Sequence, residues 1–141
     1  MAGQGAAGLG KARTERNKVK NMAENWSTIA DKADRWLKAA AKIRSKLDET
    51  MNLGLTRHYR SMMYRYAAEV GKMYQANSRR TIDLYRELSR RAEFLERKLD
   101  ALYKIRPFNY DQFVRTIVEY DLARDQADMV GIFVDDWRWV P

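Results

Sequence analysis

Apolar residues recur at alternating steps of three and four near the start of the chain, over residues 19–47. The positions are Val19, Met22, Trp26, Ile29, Ala33, Trp36, Ala40, Ile43 and Leu47. These steps place the side chains on one narrow stripe of a helix, which is typical of a coiled coil packed against a partner helix. Ala30, Leu37 and Ala41 widen the stripe locally, as in the core helix of a globular protein. We expect a long helix whose narrow stripe, here called the seam, is a partner-helix interface.

A second helical run is expected to follow a break in the chain. Asn52 and Gly54 predict a left-handed cap that ends the first helix, and Thr56 is suited to cap the first turn of the next one. Six residues form the apolar side of this second helix: Tyr59, Met62, Met63, Tyr66, Val70 and Met73. The segment 75–78 weakens the helix, and Asn77 or Ser78 is expected to cap a new start.

A third apolar run extends to Pro107, again at steps of three and four. Its members are Thr81, Leu84, Leu88, Ala92, Leu95, Leu99 and Leu102. Because proline disfavours the α conformation in the residue before it, Arg106 should be the last or nearly the last helical residue.

The C-terminal quarter predicts short elements. Asn109 and Gln112 have the spacing of a capping box, which would begin a short helix ending near Tyr120. Another helix is expected over residues 122–131, followed by an extended aromatic tail that contains Trp137 and Trp139. The predicted fold is therefore all-α, with two or three long helices in an elongated, hairpin-like arrangement, short C-terminal helices and an extended tail.

Composition agrees with an all-α chain and excludes several classes of function. The 141 residues include 33% charged residues, 7 glycines and only 2 prolines, so few residues interrupt helices. No apolar run approaches the roughly 18 to 20 residues needed to span a bilayer, so membrane contact is expected to be peripheral at most. There are no cysteines, which excludes disulfides, thiolate metal sites and cysteine nucleophiles.

Charge is distributed unevenly along the chain. Residues 1–106 carry 24 lysines and arginines against 12 acidic residues, whereas residues 107–141 carry 3 against 7. Such asymmetry indicates that the basic part meets an acidic partner, or that the two parts meet different surfaces. We divide the chain into a flexible basic arm rich in glycine and alanine (1–13), a long-helix stalk domain (14–106) and an acidic C-terminal region (107–141). The arm is similar to a mitochondrial targeting segment; the alternative is a solvated basic helix start.

The sequence offers no recognisable catalytic, metal or cofactor site. His58 is the only histidine, and no serine, threonine or carboxylate lies in a known nucleophile or metal-binding motif. No glycine-rich phosphate loop is present either. We therefore expect a protein that is not an enzyme and that takes no small-molecule substrate.

Arginines alternate with tyrosines between residues 57 and 91, a pattern that nucleic-acid-binding proteins also use. Arginine contacts phosphate and tyrosine stacks on bases. Tyrosines at helical spacing are also common at helix interfaces, where arginines form ion pairs. We favour the interface interpretation and keep RNA binding, as in a basic mitochondrial ribosomal subunit, as an alternative.

The order of several motifs resembles subunit d of the mitochondrial ATP synthase peripheral stalk. The chain runs from Leu99 through Leu-Tyr-Lys-Ile-Arg into the Pro107-Phe108 corner, and Tyr110-Asp111-Gln112-Phe113 follows it directly. His58-Tyr59-Arg60-Ser61 is similar to the aromatic and basic segment at the start of the family's middle helix. The segment between His58 and Pro107 is shorter than in the family, which would make this chain a divergent member.

The resemblance implies a structural stator subunit that takes no part in the chemistry of ATP synthesis or proton transport. It would lie on the matrix side of the mitochondrial inner membrane and brace subunit b against rotor torque. Its other partners would be the coupling-factor or h-type subunit and the oligomycin-sensitivity-conferring subunit. Pro107, Phe108, Trp137 and Trp139 join the seam as expected partner contacts. An accessory subunit of a respiratory complex is a third hypothesis.

Overall fold

The chain folds into four helices within the residues that the computed structural model describes, 25–47 and 52–135. Helix α1 covers residues 25–47. Helices α2, α3 and α4 span Leu53–Ala76, Ser78–Lys104 and Tyr110–Asp135. They pack as two hairpin pairs, α1 with α2 and α3 with α4, and these described residues contain no strand. The all-α prediction is confirmed, and the expected arm 1–13 and the aromatic tail with Trp137 and Trp139 lie outside the described residues.

The start of α2 differs from the prediction. Asn52 has extended backbone angles and its side-chain oxygen accepts a hydrogen bond from the Gly54 amide at 2.8 Å. Asn52 is therefore the N-cap of α2, and Gly54 belongs to the first turn of that helix. The expected left-handed cap on these two residues is wrong, because asparagine caps a helix start as readily as it tolerates a left-handed end. Thr56 lies inside the helix and its hydroxyl donates to the Asn52 carbonyl oxygen at 3.1 Å.

The break between α2 and α3 falls at the predicted place. Helix α2 ends at Ala76, and the Asn77 side chain accepts from the Arg80 amide at 3.1 Å as the N-cap of α3. The predicted apolar side of α2 is fully confirmed, with all six residues buried. Helix α3 ends at Lys104, two residues before the expected end.

Helix α4 is one continuous element of 26 residues, so the two short C-terminal helices of the prediction are wrong. Asn109 does cap it, accepting from the Gln112 amide at 3.1 Å. No residue at the expected junction, 120–122, terminates a helix. One buried face continues through that junction, formed by Thr116, Ala123, Ala127, Val130 and Val134.

One apolar core joins all four helices. Helix α1 contributes Ala33, Ala40 and Ile43, and these residues pack with the buried face of α2, Leu88 of α3 and the second half of α4. Trp26, Ile29, Trp36 and Leu47 are partly buried against the same core. The described part of the seam thus packs inside the chain's own fold, contrary to the inference that the apolar residues do not converge. The residues that widen the stripe explain this outcome, because Ala30 and Leu37 also pack on the core.

A second, smaller set of buried residues holds the α3–α4 hairpin together beyond that core. Leu95 and Leu102 of α3 and Thr116 of α4 are buried outside the main cluster. Thr81, Leu88, Leu95 and Leu102 follow one another at intervals of seven residues, so α3 presents a heptad seam to α4.

Candidate partner-binding surface

A polar cluster, here called the Arg44 clamp, ties α1 and α2 to α4. The Arg44 guanidinium lies 2.8 Å from Asp121 Oδ2 and 3.4 Å from Asp125 Oδ2. The Tyr59 hydroxyl donates to the same Asp125 oxygen at 2.7 Å, and the Arg44 guanidinium lies 5.2 Å from the centroid of the Tyr59 ring. All four side chains are at least partly buried, so water screens these charge-assisted hydrogen bonds less than it would on an open surface.

The clamp has the chemistry of a structural contact. Burial raises the pKa of Tyr59 far above its ordinary value of 10, and the hydrogen bond and negative charge of Asp125 raise it further. Tyr59 therefore stays protonated and keeps donating at physiological pH. A cavity of about 330 Å³ adjoins the clamp, with Leu47, Met63 and Met129 among its lining residues. No histidine of the described residues lines it, and the Tyr59 hydroxyl that lines it donates to Asp125, a carboxylate already paired with Arg44 in the clamp.

Two further hydrogen bonds fix the helices nearer the Trp26 end of the bundle. The Gln126 amide donates to the Tyr66 hydroxyl at 3.0 Å, and the Trp26 indole donates to the Thr81 hydroxyl at 3.1 Å. Burial raises the pKa of Tyr66 to about 12. These contacts give the buried polar groups of the core partners inside the chain.

The connection between α3 and α4 exposes the densest group of large apolar side chains in the described residues. Tyr103, Ile105, Phe108 and Tyr110 are 64%, 52%, 38% and 69% exposed, and with Pro107 we call them the aromatic turn. Behind the turn, the Phe113 ring lies 5.1 Å from that of Phe108. A contiguous exposed apolar patch on a folded domain commonly marks a protein interaction site.

The predicted interface residues fall into four groups. Ala33, Ala40 and Ile43 are buried in the chain's own core, and Trp26, Ile29, Trp36 and Leu47 are half-buried at its edge. Pro107 and Phe108 are exposed in the aromatic turn. Val19, Met22, Trp137 and Trp139 lie outside the described residues. Contact of any of these side chains with another protein stays a prediction.

Most tyrosine and tryptophan rings of α1 and α2 are buried or covered by other side chains of the same chain. Tyr59 and Tyr66 are buried. The Arg65 guanidinium lies 4.6 Å from the centroid of the Trp36 ring, and that of Arg80 lies 3.9 Å from the Trp26 ring. These arginines cover the tryptophan faces and form cation–π contacts within the chain.

The sequence predicted Pro107 and Phe108 as partner contacts, which stays a prediction, but it did not predict the Arg44 clamp. Asp121 and Asp125 are four residues apart, so they share a helix face, and this was the only available local signal. Arg44 lies 77 and 81 residues away from them along the chain, and no local pattern links residues so distant.

The part of the chain that the structure describes offers neither a metal-binding cluster nor a membrane-spanning helix. It has no group of three or more histidine, cysteine, aspartate or glutamate side chains placed to hold a metal ion. His58 is exposed on the first half of α2. Among these residues, no helix combines the length and the apolar character that crossing a bilayer requires.

Comparison with known proteins finds no relative. No protein family model, no curated protein and no solved structure matches the chain.

Proposed function

We propose that this chain is a non-catalytic structural subunit that binds a partner protein through its aromatic turn. The observation that carries the proposal is the exposure of four large apolar side chains within eight residues, at one end of a bundle whose other apolar residues are mostly covered. Burying such aromatic side chains at an interface contributes more binding energy than most other contacts.

The resemblance to subunit d of the ATP synthase peripheral stalk suggests which assembly this is. The aromatic turn contains the Pro107-Phe108 corner on which that resemblance partly depends, and α4 begins directly after it. In this role the chain would bind subunit b and its neighbouring stalk subunits at the matrix side of the mitochondrial inner membrane. Long helices with interlocked side chains deform little, which suits a subunit that resists torque.

RNA binding by a mitochondrial ribosomal subunit is less well supported. The basic surface would attract phosphate, but Tyr59 and Tyr66 are buried and Trp26 and Trp36 are covered by arginines. Fewer rings are therefore available for stacking on bases than the sequence suggests. A respiratory-complex accessory subunit would use the same surfaces and differs in its partners alone.

Affinity purification from the cells that make the protein tests the proposal. The tagged chain would be purified in mild detergent, separated by native electrophoresis and examined by mass spectrometry for co-migrating subunits. We expect ATP synthase stalk subunits with the unmodified chain, and at least about tenfold less of them with the double substitution Ile105→Ser and Tyr110→Ser.

Tyr64→Ser provides the matched control, because Tyr64 is 65% exposed on α2 and Tyr110 is 69% exposed in the turn. Circular dichroism would establish that all variants fold. Unchanged recovery of partners with the double variant would contradict the role of the turn. Co-migration with ribosomal proteins would contradict the stalk assignment.

A further inference from the structure

The outer surface of the α1–α2 hairpin contains an open groove with basic side chains at its edges. Arg35, Lys38 and Lys42 of α1 and His58 of α2 line the edges, while Ala39, Ile43 and Met62 form an apolar floor. The groove has a volume of about 450 Å³. We call it the cationic groove. It lies apart from the aromatic turn, which connects the other two helices.

Most of the positive charge of the cationic groove is not balanced by a nearby carboxylate. None of the groove's lining residues is acidic. Lys38 pairs with Asp34 at 3.0 Å, but the Lys38 side chain is 76% exposed, so water screens this contact strongly. Within the described residues Arg35 and Lys42 form no ion pair. The clamp carboxylates Asp121 and Asp125 pair with Arg44 and do not line this groove.

The spacing of the cations matches that of a helix laid along the groove. Arg35, Lys38 and Lys42 lie on one side of α1 at steps of three and four, so they extend over about 10 Å at 1.5 Å per residue. Carboxylates at the same steps on a partner helix would face them. Apolar residues on the adjacent face of that helix would reach Ala39, Ile43 and Met62.

We propose that the cationic groove binds an acidic amphipathic helix of a partner protein. Charge complementarity would orient the helix and speed its association, and burial of its apolar side chains on the groove floor would hold it. This proposal does not depend on the identity of the larger assembly or on the aromatic turn.

A protein helix fits the groove better than the two phosphate-bearing alternatives. A single-stranded nucleic acid would need several exposed rings beside the cations, but His58 is the one ring among the groove's described lining residues and the nearby Trp36 ring is covered by Arg65. A bilayer surface would meet the exposed edges of the groove, but its headgroups offer nothing to the apolar floor between two helices. An acidic amphipathic helix offers carboxylates to the basic edges and apolar side chains to the floor.

Fluorescence anisotropy with a synthetic peptide tests the proposal on the full-length chain. The probe is a labelled, end-capped helical peptide of about 18 residues, long enough to form a helix, with leucines on one face and glutamates beside them. We expect saturable binding that weakens as salt is raised from about 50 to 200 mM. The double substitution Arg35→Glu and Lys42→Glu should weaken it at least about tenfold, because two attractions become repulsions.

The matched control is Arg90→Glu with Arg91→Glu, which makes the same charge change at two exposed residues of α3. Binding by this variant should fall less than about threefold. The milder pair Arg35→Gln and Lys42→Gln keeps the test available if the charge reversal impairs folding, as judged by circular dichroism. A peptide of the same composition with its leucines spread around the helix tests the contribution of the apolar floor.

Four results would overturn the proposal. The first is the absence of saturable binding by the acidic amphipathic peptide. The second is an equal loss of affinity in the α1 and α3 variants, which would indicate attraction to net charge alone. The third is equal binding of the rearranged peptide. The fourth is tighter binding of single-stranded RNA or phosphatidylglycerol vesicles, abolished by Arg35→Glu with Lys42→Glu, which would assign the groove to phosphate.

Discussion

Arg44 makes the most extensive polar contact between the two helical hairpins. Its guanidinium reaches two carboxylates of α4 and also lies over the Tyr59 ring. If Arg44 were removed, Asp121 and Asp125 would keep a mutual repulsion at a spacing of four residues, without a cation between them. The clamp therefore depends on Arg44 more than on either aspartate.

We predict that Arg44→Met lowers the free energy of unfolding by about 1–2 kcal/mol. This is less than the loss for a fully buried pair, because Asp121 and Asp125 are partly solvated. Urea denaturation followed by circular dichroism measures the change. Lys38→Met is the control, since it removes an exposed ion pair with Asp34 and should change stability by less than about 0.5 kcal/mol. Equal effects of the two substitutions would contradict a stabilising role for the clamp.

The buried tyrosines predict a loss of stability at high pH. The pKa of Tyr66 is about 12 in the folded chain against an ordinary value of 10. Below pH 10 the Tyr66 hydroxyl is protonated in both the folded and the unfolded chain, so its contribution to the free energy of unfolding is fully present. Between pH 10 and about 12 the unfolded state releases its proton first and the contribution is progressively lost.

Urea denaturation between pH 9 and pH 11 tests this dependence. Tyr66→Phe should reduce the decline in stability with pH, because phenylalanine has no hydroxyl to ionise. Tyr64→Phe, at an exposed position on the same helix, should leave the decline unchanged. An unaltered slope with Tyr66→Phe would show that other groups cause the loss.

Close packing between α2 and α4 depends on a glycine. A Cβ atom added at Gly71 would lie 3.0 Å from Phe133 Cε1, closer than ordinary contact. We predict that Gly71→Leu destabilises the fold by about 1–3 kcal/mol, since a larger side chain would displace the Phe133 ring. Thermal or urea denaturation measures this, with Ala68→Leu at an exposed position of α2 as control. A Gly71→Leu variant as stable as the control would contradict the packing argument.

Local signals in the sequence predicted most elements but not how they meet. Asn77 and Asn109 cap their helices as expected, because a cap depends on residues within one turn. The apolar stripe of α1 predicted the helix but not its neighbour, because its main positions have the same spacing against its own chain or another. Its widening at Ala30 and Leu37 was the local sign of a core helix. Contacts between distant residues decide between those two, such as Arg44 with α4 and Trp26 with Thr81, and such contacts leave no local pattern.

For the whole molecule, packing of the seam into its own core predicts a stable monomer. Ala33 and Ala40 are 2% and 0% exposed without any partner chain. We predict that the thermal midpoint of the full chain stays constant over a hundredfold range of protein concentration. Stabilisation by association would raise the midpoint with concentration. Sedimentation velocity at the same concentrations measures the mass, and a midpoint that rises together with dimer formation would restore the seam as an intermolecular interface.

The continuity of α4 gives the molecule a mechanical path. Its 26 residues form a rod about 39 Å long at 1.5 Å per residue. The aromatic turn lies at the start of this helix. Farther along it, Asp121, Asp125 and Gln126 form hydrogen bonds with side chains of the α1–α2 hairpin. A force applied at the turn would therefore be transmitted along the continuous backbone hydrogen bonds of α4. The contacts of these three side chains would pass it to the α1–α2 hairpin, with no break in α4 to absorb it.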